Sequence, residues 1–262
     1  MKIIISPAKK MNRNTDLFAC STLPSFLQEA EHLAQWIRSL SYPESKKLWG
    51  CNDSIARLNY DRFSAMDLHK NLTPALISYE GIQYQYMAPE VFSDREWAYV
   101  QEHLRILSGF YGVLRPLDGI TPYRLEMQAK TDKCSPPLME SPVSETAPCS
   151  LYHFWKEKLY QAVLDESRTV LNLASKEYSR CIEQYLKPED TFITCIFGEW
   201  KDGKVIQKGT QAKMARGEMV RFLAENAIET PTDIRRFDRM NYRFSEELSS
   251  EKEYVFLRHP SW

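Results

Sequence analysis

Apolar side chains along this chain follow two rhythms, and the changes between them mark out the elements. Ile3, Ile4 and Ile5 form a short continuous run that stops at Ser6-Pro7, which predicts a buried strand over 2–5. Phe26, Ala30, Leu33, Ile37 and Leu40 fall on one helical stripe behind Pro24-Ser25. Ser93 and Glu96 make a capping box ahead of Trp97, Val100, Leu104 and Leu107, a stripe that predicts a helix running to Gly109. Tyr152, Trp155, Leu159 and Val163 predict another helix, and Val170 to Leu173 a strand ending at Ala174-Ser175. Thr191 to Trp200 and Lys204 to Gln207 flank Asp202-Gly203, a strong hairpin signal. A long helix is predicted over about 211–226, and last strands at Tyr242–Phe244 and Tyr254–Leu257. Strands and helices alternate with at least one hairpin, so the expected fold is α/β, with a mixed β-sheet flanked by helices. No repeat is present. The stretch from about 128 to 150, rich in Pro, Ser and Thr, reads as a loop excursion within one domain spanning 1–262.

Composition narrows the function classes. The chain has 262 residues, 43% hydrophobic and 26% charged, enough to bury a sizeable core. Thirty-four basic and 35 acidic side chains nearly cancel, so any nucleic-acid surface must be a local patch. No stretch approaches a membrane span, and the N-terminal apolar run is too short for a signal-peptide core. The six cysteines form no C-x-x-C pair, which suits reduced, mostly buried thiols in a cytoplasmic protein better than a thiol redox protein. The five histidines show no metal-ligand spacing, and there is no Walker loop, G-x-G-x-x-G, G-x-S-x-G or H-E-x-x-H. No cofactor or metal is therefore expected.

Three constellations remain. The stretch from Lys47 to Leu58 fits a helix-hairpin-helix within about 44–64, with Gly50 at its turn, Asn52 in place of the usual second glycine, and Ala56 allowing close helix packing. Such a turn aims backbone N–H groups and a helix dipole at a phosphate without reading sequence, with Lys47 and Arg57 nearby to add charge. A plain helical hairpin packed on the core is the alternative. In the predicted helix over 211–226, Lys213, Arg216, Gly217, Val220 and Arg221 share one face. Glycine costs a helix interior up to about 1 kcal/mol relative to Ala, which a close approach by a ligand or another backbone would explain. The other reading is a solvated basic face.

The third constellation is a pair of strand-to-turn junctions, Ser6-Pro7-Ala8-Lys9 and Asn172-Leu173-Ala174-Ser175-Lys176. Each resembles a strand running into a helix N-cap. If both strands run the same way in one sheet, Ser6, Lys9, Asn172, Ser175 and Lys176 meet at its ligand crevice as a phosphate site. Ordinary capping is the alternative. Glu126, Glu177 and Glu199 are each possible catalytic carboxylates that the sequence alone does not pair.

Taken together, Ser6-Pro7-Ala8-Lys9, the block from Leu107 to Asp118, Pro122-Tyr123-Arg124-Leu125-Glu126-Met127, Asn172 to Tyr178, and Lys213-Met214-Ala215-Arg216-Gly217 resemble the bacterial YaaA peroxide-stress proteins, in order and over nearly the whole chain. The resemblance implies one α/β domain of unusual topology with a helix-hairpin-helix and a basic cleft. It implies binding of duplex, bulged or kinked DNA and a role in limiting free iron and oxidative DNA damage. On this reading Lys9, Arg115, Arg124, Lys213 and Arg216 line one cleft, with Tyr123 and Arg221 close by. The protein is expected to act as a monomer. The rival expectation is an enzyme acting on a nucleobase or nucleotide at the Ser6/Ser175 edge.

Overall fold

The computed structural model describes residues 1–13, 18–131 and 149–259. Eight strands build one mixed sheet: β1 (Lys2–Ile5), β2 (Leu104–Ser108), β3 (Gly112–Leu114), β4 (Thr169–Leu173), β5 (Thr191–Lys201), β6 (Lys204–Ile206), β7 (Tyr242–Phe244) and β8 (Glu253–Arg258). Their order is β7-β8-β5-β4-β1-β2-β3, with β6 paired to the far end of β5. The five central strands, β8 to β2, are parallel, and β3, β6 and β7 are antiparallel to their neighbours. β1 and β2 are buried along their whole length, as strands covered on both faces must be. Around the sheet lie α1 (Leu27–Ser39), α2 (Tyr42–Trp49), α3 (Asp53–Ala65), α4 (Ile82–Met87), α5 (Asp94–His103), α6 (Leu151–Trp155), α7 (Lys158–Val163), α8 (Lys176–Glu183) and α9 (Gly209–Glu225).

Register sets the position of the site. Ile5, the last residue of β1, stands beside Leu173 of β4 on one side and Ile106 of β2 on the other. The chain leaves β1 for β2 and later returns to β4 on the opposite flank. The carboxyl ends of β1 and β4 therefore form a topological switch point, where the outgoing connections diverge and open a crevice.

Several expectations change. The capping box at Ser93 and Glu96 is present, but the helix stops at His103 and 104–108 becomes β2. Leu104 and Leu107 keep helical spacing with Trp97 and Val100 by coincidence. Every residue of 104–108 is buried, and such a short apolar run cannot be told from a helix by period alone. The helix expected over 152–163 breaks in two at Lys156, whose φ of 47° and ψ of −136° leave the helical region. Ser6-Pro7 opens no helix. The chain continues irregularly to Lys10–Met11, which pair antiparallel with Tyr79–Glu80. The hairpin at Asp202-Gly203 closes β5 on β6 with φ of 51° and 75°, the two left-handed residues that a tight two-residue turn requires. Lys130–Thr131 pair with Cys149–Ser150, so the ends of the 128–150 excursion meet, while 132–148 lies outside the described residues.

Gly217 is explained by the packing of α9 on α4. A Cβ built there would lie 2.1 Å from the carbonyl oxygen of Gln83 and 3.0 Å from the amide nitrogen of Met87. The close approach is by another backbone, and the side of α9 carrying Gly217 and Val220 is buried rather than a solvated basic face.

Candidate functional site

Ser6 ties the switch point together. Its Oγ accepts a hydrogen bond from the backbone N–H of Ser175 at 2.8 Å, and its hydroxyl donates to Ser175 Oγ at 3.2 Å. Its carbonyl accepts from the hydroxyl of Tyr84 on α4 at 2.9 Å. Ser175 occupies the N-cap position of α8, but its side chain makes no capping bond to that helix. Neither serine therefore acts as an ordinary side-chain cap. They bond each other across the crevice, and α4 is latched to the same point.

Above this strut opens a cavity of about 500 Å³. It brings together Lys9, Lys10, Arg124, Lys213 and Arg216 from three distant parts of the chain, and with them Glu80, Glu126 and Glu177. Lys9 Nζ lies 2.8 Å from one oxygen of Glu126, and Arg124 Nη2 lies 2.7 Å from the other. Lys10 pairs with Glu80. The charge is thus mixed and locally neutralised, with the remaining positive character on Lys213 and Arg216. Arg216 is half-buried, and burial holds its guanidinium below the ordinary arginine range. The Nε atoms of Arg216 and Arg124 are both buried without a hydrogen-bond partner. A buried donor left unpaired is costly.

Glu177 is the group best poised for proton chemistry. Burial pushes its carboxyl above the ordinary glutamate value, and the negative charge of Glu126 adds to the rise. The backbone N–H of Gln128, at 3.3 Å, and the charge of Lys9 oppose it. Tyr84, Tyr123 and Tyr178 also line the cavity. The Tyr123 hydroxyl lies 2.7 Å from Tyr79 Oη and 2.5 Å from Ser108 Oγ, so its polar end is committed inside the fold.

The other expected site residues fall elsewhere. Arg115 is exposed on the turn after β3, where its backbone N–H donates to Asp118 at 2.8 Å, and it does not line the cavity. The expected cleft thus holds Lys9, Arg124, Lys213 and Arg216 without Arg115. Arg221, one turn beyond Gly217 on α9, pairs with Glu225 at 2.7 Å and is also outside. Asn172 is buried as a bridge, donating to Thr194 Oγ1 at 3.2 Å and accepting from the Ala174 N–H at 2.9 Å. It and the exposed Lys176 line a second groove of about 940 Å³ that shares only Arg216 with the first. Lys10, Glu80, Gln83 and Tyr84 were not anticipated. They sit at or near α4, and the one sequence signal for that wall was Gly217, whose packing partner only the fold reveals.

α2 and α3 form a helical pair joined by a tight turn. Gly50 takes φ of 53° and ψ of 42°, with nothing within 4 Å of the Cβ it lacks. Asn52 needs no positive φ. At −66° it is the N-cap of α3, accepting from the Ile55 N–H at 3.0 Å. Ala56 is fully buried at the helix crossing, and Trp49 stacks on Phe63 with centroids 5.8 Å apart. Lys47 and Arg57 are exposed, and Arg57 lies 4.3 Å over the Tyr42 ring. No residue of the turn lines the cavity.

Among the described residues, Cys20, Cys51, Cys181 and Cys195 are free thiols. Burial pushes all four upward, Cys181 to about 12, which opposes thiolate chemistry. Among the described residues no group of His, Cys, Asp and Glu is placed to hold a metal, and no helix is long and apolar enough to cross a membrane.

A family model described as peroxide stress protein YaaA matches residues 1–248. A UPF0246 protein of Agathobacter rectalis is 53% identical over 258 residues, covering 98% of this chain and 99% of the relative. UPF0246 proteins of Lachnoclostridium phytofermentans and Desulfitobacterium hafniense are 50% and 49% identical, each over 98% of this chain and over 96% and 98% of their own lengths.

Proposed function

The chain belongs to the YaaA peroxide-stress family, and from that membership we propose that it binds DNA, largely without sequence preference, and so helps limit oxidative damage and the free iron that drives it. One observation carries the reading. Lys9, Arg124, Lys213 and Arg216, up to 207 residues apart in sequence, converge on one cavity, and the turn at Gly50–Asn52 is separately exposed. The cations suit phosphate oxygens, and the turn offers N–H groups at the start of α3. With near-zero net charge, attraction must come from this local patch.

Affinity for straight and bulged duplexes of random sequence, measured across a salt series, tests the reading. Four to six phosphate contacts give a slope of log K against log salt of about −4 to −5. Bulged duplexes should bind more tightly, because a bulge lowers the cost of bending toward a concave site. A flat salt response, or strong preference for one base sequence, would remove DNA backbone as the partner.

A second reading has its own support in Glu177, a carboxyl raised by burial in a cavity at the switch point, which suits a general acid. It makes the protein an enzyme acting on a nucleobase or nucleotide at the Ser6/Ser175 edge. Turnover that is lost in Lys9→Ala while binding persists would favour it.

A further inference from the structure

The cavity at the switch point cannot receive a double helix. Its volume of about 500 Å³ is that of a sphere about 10 Å across, whereas the major groove alone of B-form DNA is about 12 Å wide. The volume does lie within the range of about 300–1,000 Å³ that small-molecule sites occupy. If the partner is DNA, the helix rests on the rim, and something smaller fills the cavity.

The lining is divided in a way that suits a nucleotide. Tyr84 and Tyr123 are buried with their hydroxyls engaged by Ser6, Tyr79 and Ser108, and the apolar surface open to the cavity comes from the partly exposed Pro7, Ala8 and Ile82. Apolar walls of this kind hold an unstacked base. At the mouth stands exposed Lys213, which has no ion-pair partner among the described residues. Beside it Arg216, partly exposed and likewise without an ion-pair partner among the described residues, adds a second cation. Glu177 supplies a carboxyl that can accept from, or when protonated donate to, the polar edge of a base.

The geometry points to a seat for a single nucleotide, turned out of a duplex, with its base against the apolar wall of Pro7, Ala8 and Ile82 and its phosphate toward Lys213 and Arg216. This rests on the DNA-binding reading above and adds the nucleotide that enters. It also gives a reason for preferring bulged duplexes, in which one base is already unpaired and costs less to extrude.

The experiment uses a duplex with a single bulged 2-aminopurine and a fluorescein at one end, titrated with the full chain. Fluorescein anisotropy reports binding, and 2-aminopurine emission reports whether the base leaves the stack. The expected result is saturable binding with emission rising at least twofold at the bulge, and no rise when the probe sits at a paired position. Lys213→Glu, an exposed position that leaves packing intact, should lose the emission change and weaken binding at least tenfold. Lys204→Glu, an equal charge change on the distant β5–β6 hairpin, should keep both. Binding with unchanged emission, and equal affinity for bulged and straight duplexes, overturns the seat while leaving DNA binding standing. A parallel titration uses free 2-aminopurine nucleoside monophosphate. If it saturates while duplex does not bind, the DNA reading fails and the extruded-nucleotide seat is overturned with it, leaving a site for free nucleotide. If neither binds, both are overturned.

Discussion

Gly217→Ala is the smallest perturbation that acts on both the fold and the site. A Cβ at 217 would lie 2.1 Å from the Gln83 carbonyl oxygen, about 1.3 Å short of ordinary contact, which begins near 3.4 Å. The obstacle is backbone, so no side-chain rotation relieves it, and α9 and α4 must move apart. Overpacking of this kind costs about 1–3 kcal/mol, and the rigid partner places it at the upper end. Replacing a mid-helix glycine by alanine returns up to about 1 kcal/mol through helix propensity. The net expectation is a loss of about 2 kcal/mol. At about 2–4 °C per kcal/mol for a chain of this size class, Tm falls by about 4–8 °C. Urea unfolding should show a lower midpoint with an unchanged slope. Because α4 carries Gln83 and Tyr84 into the cavity and latches to Ser6, ligand affinity should fall as well. Gly209→Ala is the control. It stands at the start of the same helix with nothing within 4 Å of its added Cβ, and should change stability by no more than about 0.5 kcal/mol. A Gly217→Ala protein as stable as wild type, or indistinguishable from Gly209→Ala, would refute the claim that backbone contact between α9 and α4 demands this glycine.

Further expectations concern the parts that frame the cavity and the turn between α2 and α3. The Glu177 carboxyl is raised in the folded state, so the folded protein binds more protons than the unfolded chain between the ordinary glutamate value and the raised one. This contribution to stability is greatest below that window and is lost as pH rises through it, and Glu177→Gln should remove that part of the pH dependence in a wild-type-minus-variant comparison of unfolding. A variant whose curve stays parallel to wild type would contradict it. Ser6→Ala removes the acceptor for the Ser175 N–H at 2.8 Å and should cost about 1 kcal/mol by chemical denaturation. Gly50→Val places a β-branched residue at φ of 53°, and the left-handed strain should cost about 1–2 kcal/mol and weaken DNA binding in the same anisotropy assay. Asn52→Ala removes the cap on the Ile55 N–H, for a loss of about 1 kcal/mol.

How much of this was legible depends on the range over which each feature is encoded. β1 and β4 are readable because a buried parallel strand is a short apolar run with a turn signal at its end, all within a few residues. Asp202-Gly203 and Gly50 are readable because positive φ is a local demand that few residues meet. The strand at 104–108 was not, because its apolar residues extended a helical stripe, and only pairing with β1 and β3 draws it out of α5. The exclusion of Arg221 was written locally, in its i,i+4 spacing to Glu225, a signal available in the sequence and outweighed by the neighbouring cations. The grip of Lys9 and Arg124 on Glu126 was not local for Lys9, since 117 residues separate that pair.

The same distinction explains why the cations are not equivalent. Lys9, Lys10 and Arg124 already have carboxylate partners, so a ligand phosphate would compete with Glu126 and Glu80 for them and gain only the difference. The exposed lysine pairs contribute about 0–1 kcal/mol, so exchanging one anion for another there changes little, while the mostly buried Arg124 and Glu126 would be costlier to separate. Arg216 is different. It is half-buried, burial holds its guanidinium below the ordinary range, and it has no ion-pair partner among the described residues. Part of its desolvation is already met in the folded protein, so an anion arriving beside it would gain attraction without displacing a carboxylate. A count of lysines and arginines would rank these cations equally. Partner by partner, Arg216 and Lys213 rank first, since among the described residues neither has a carboxylate to give up.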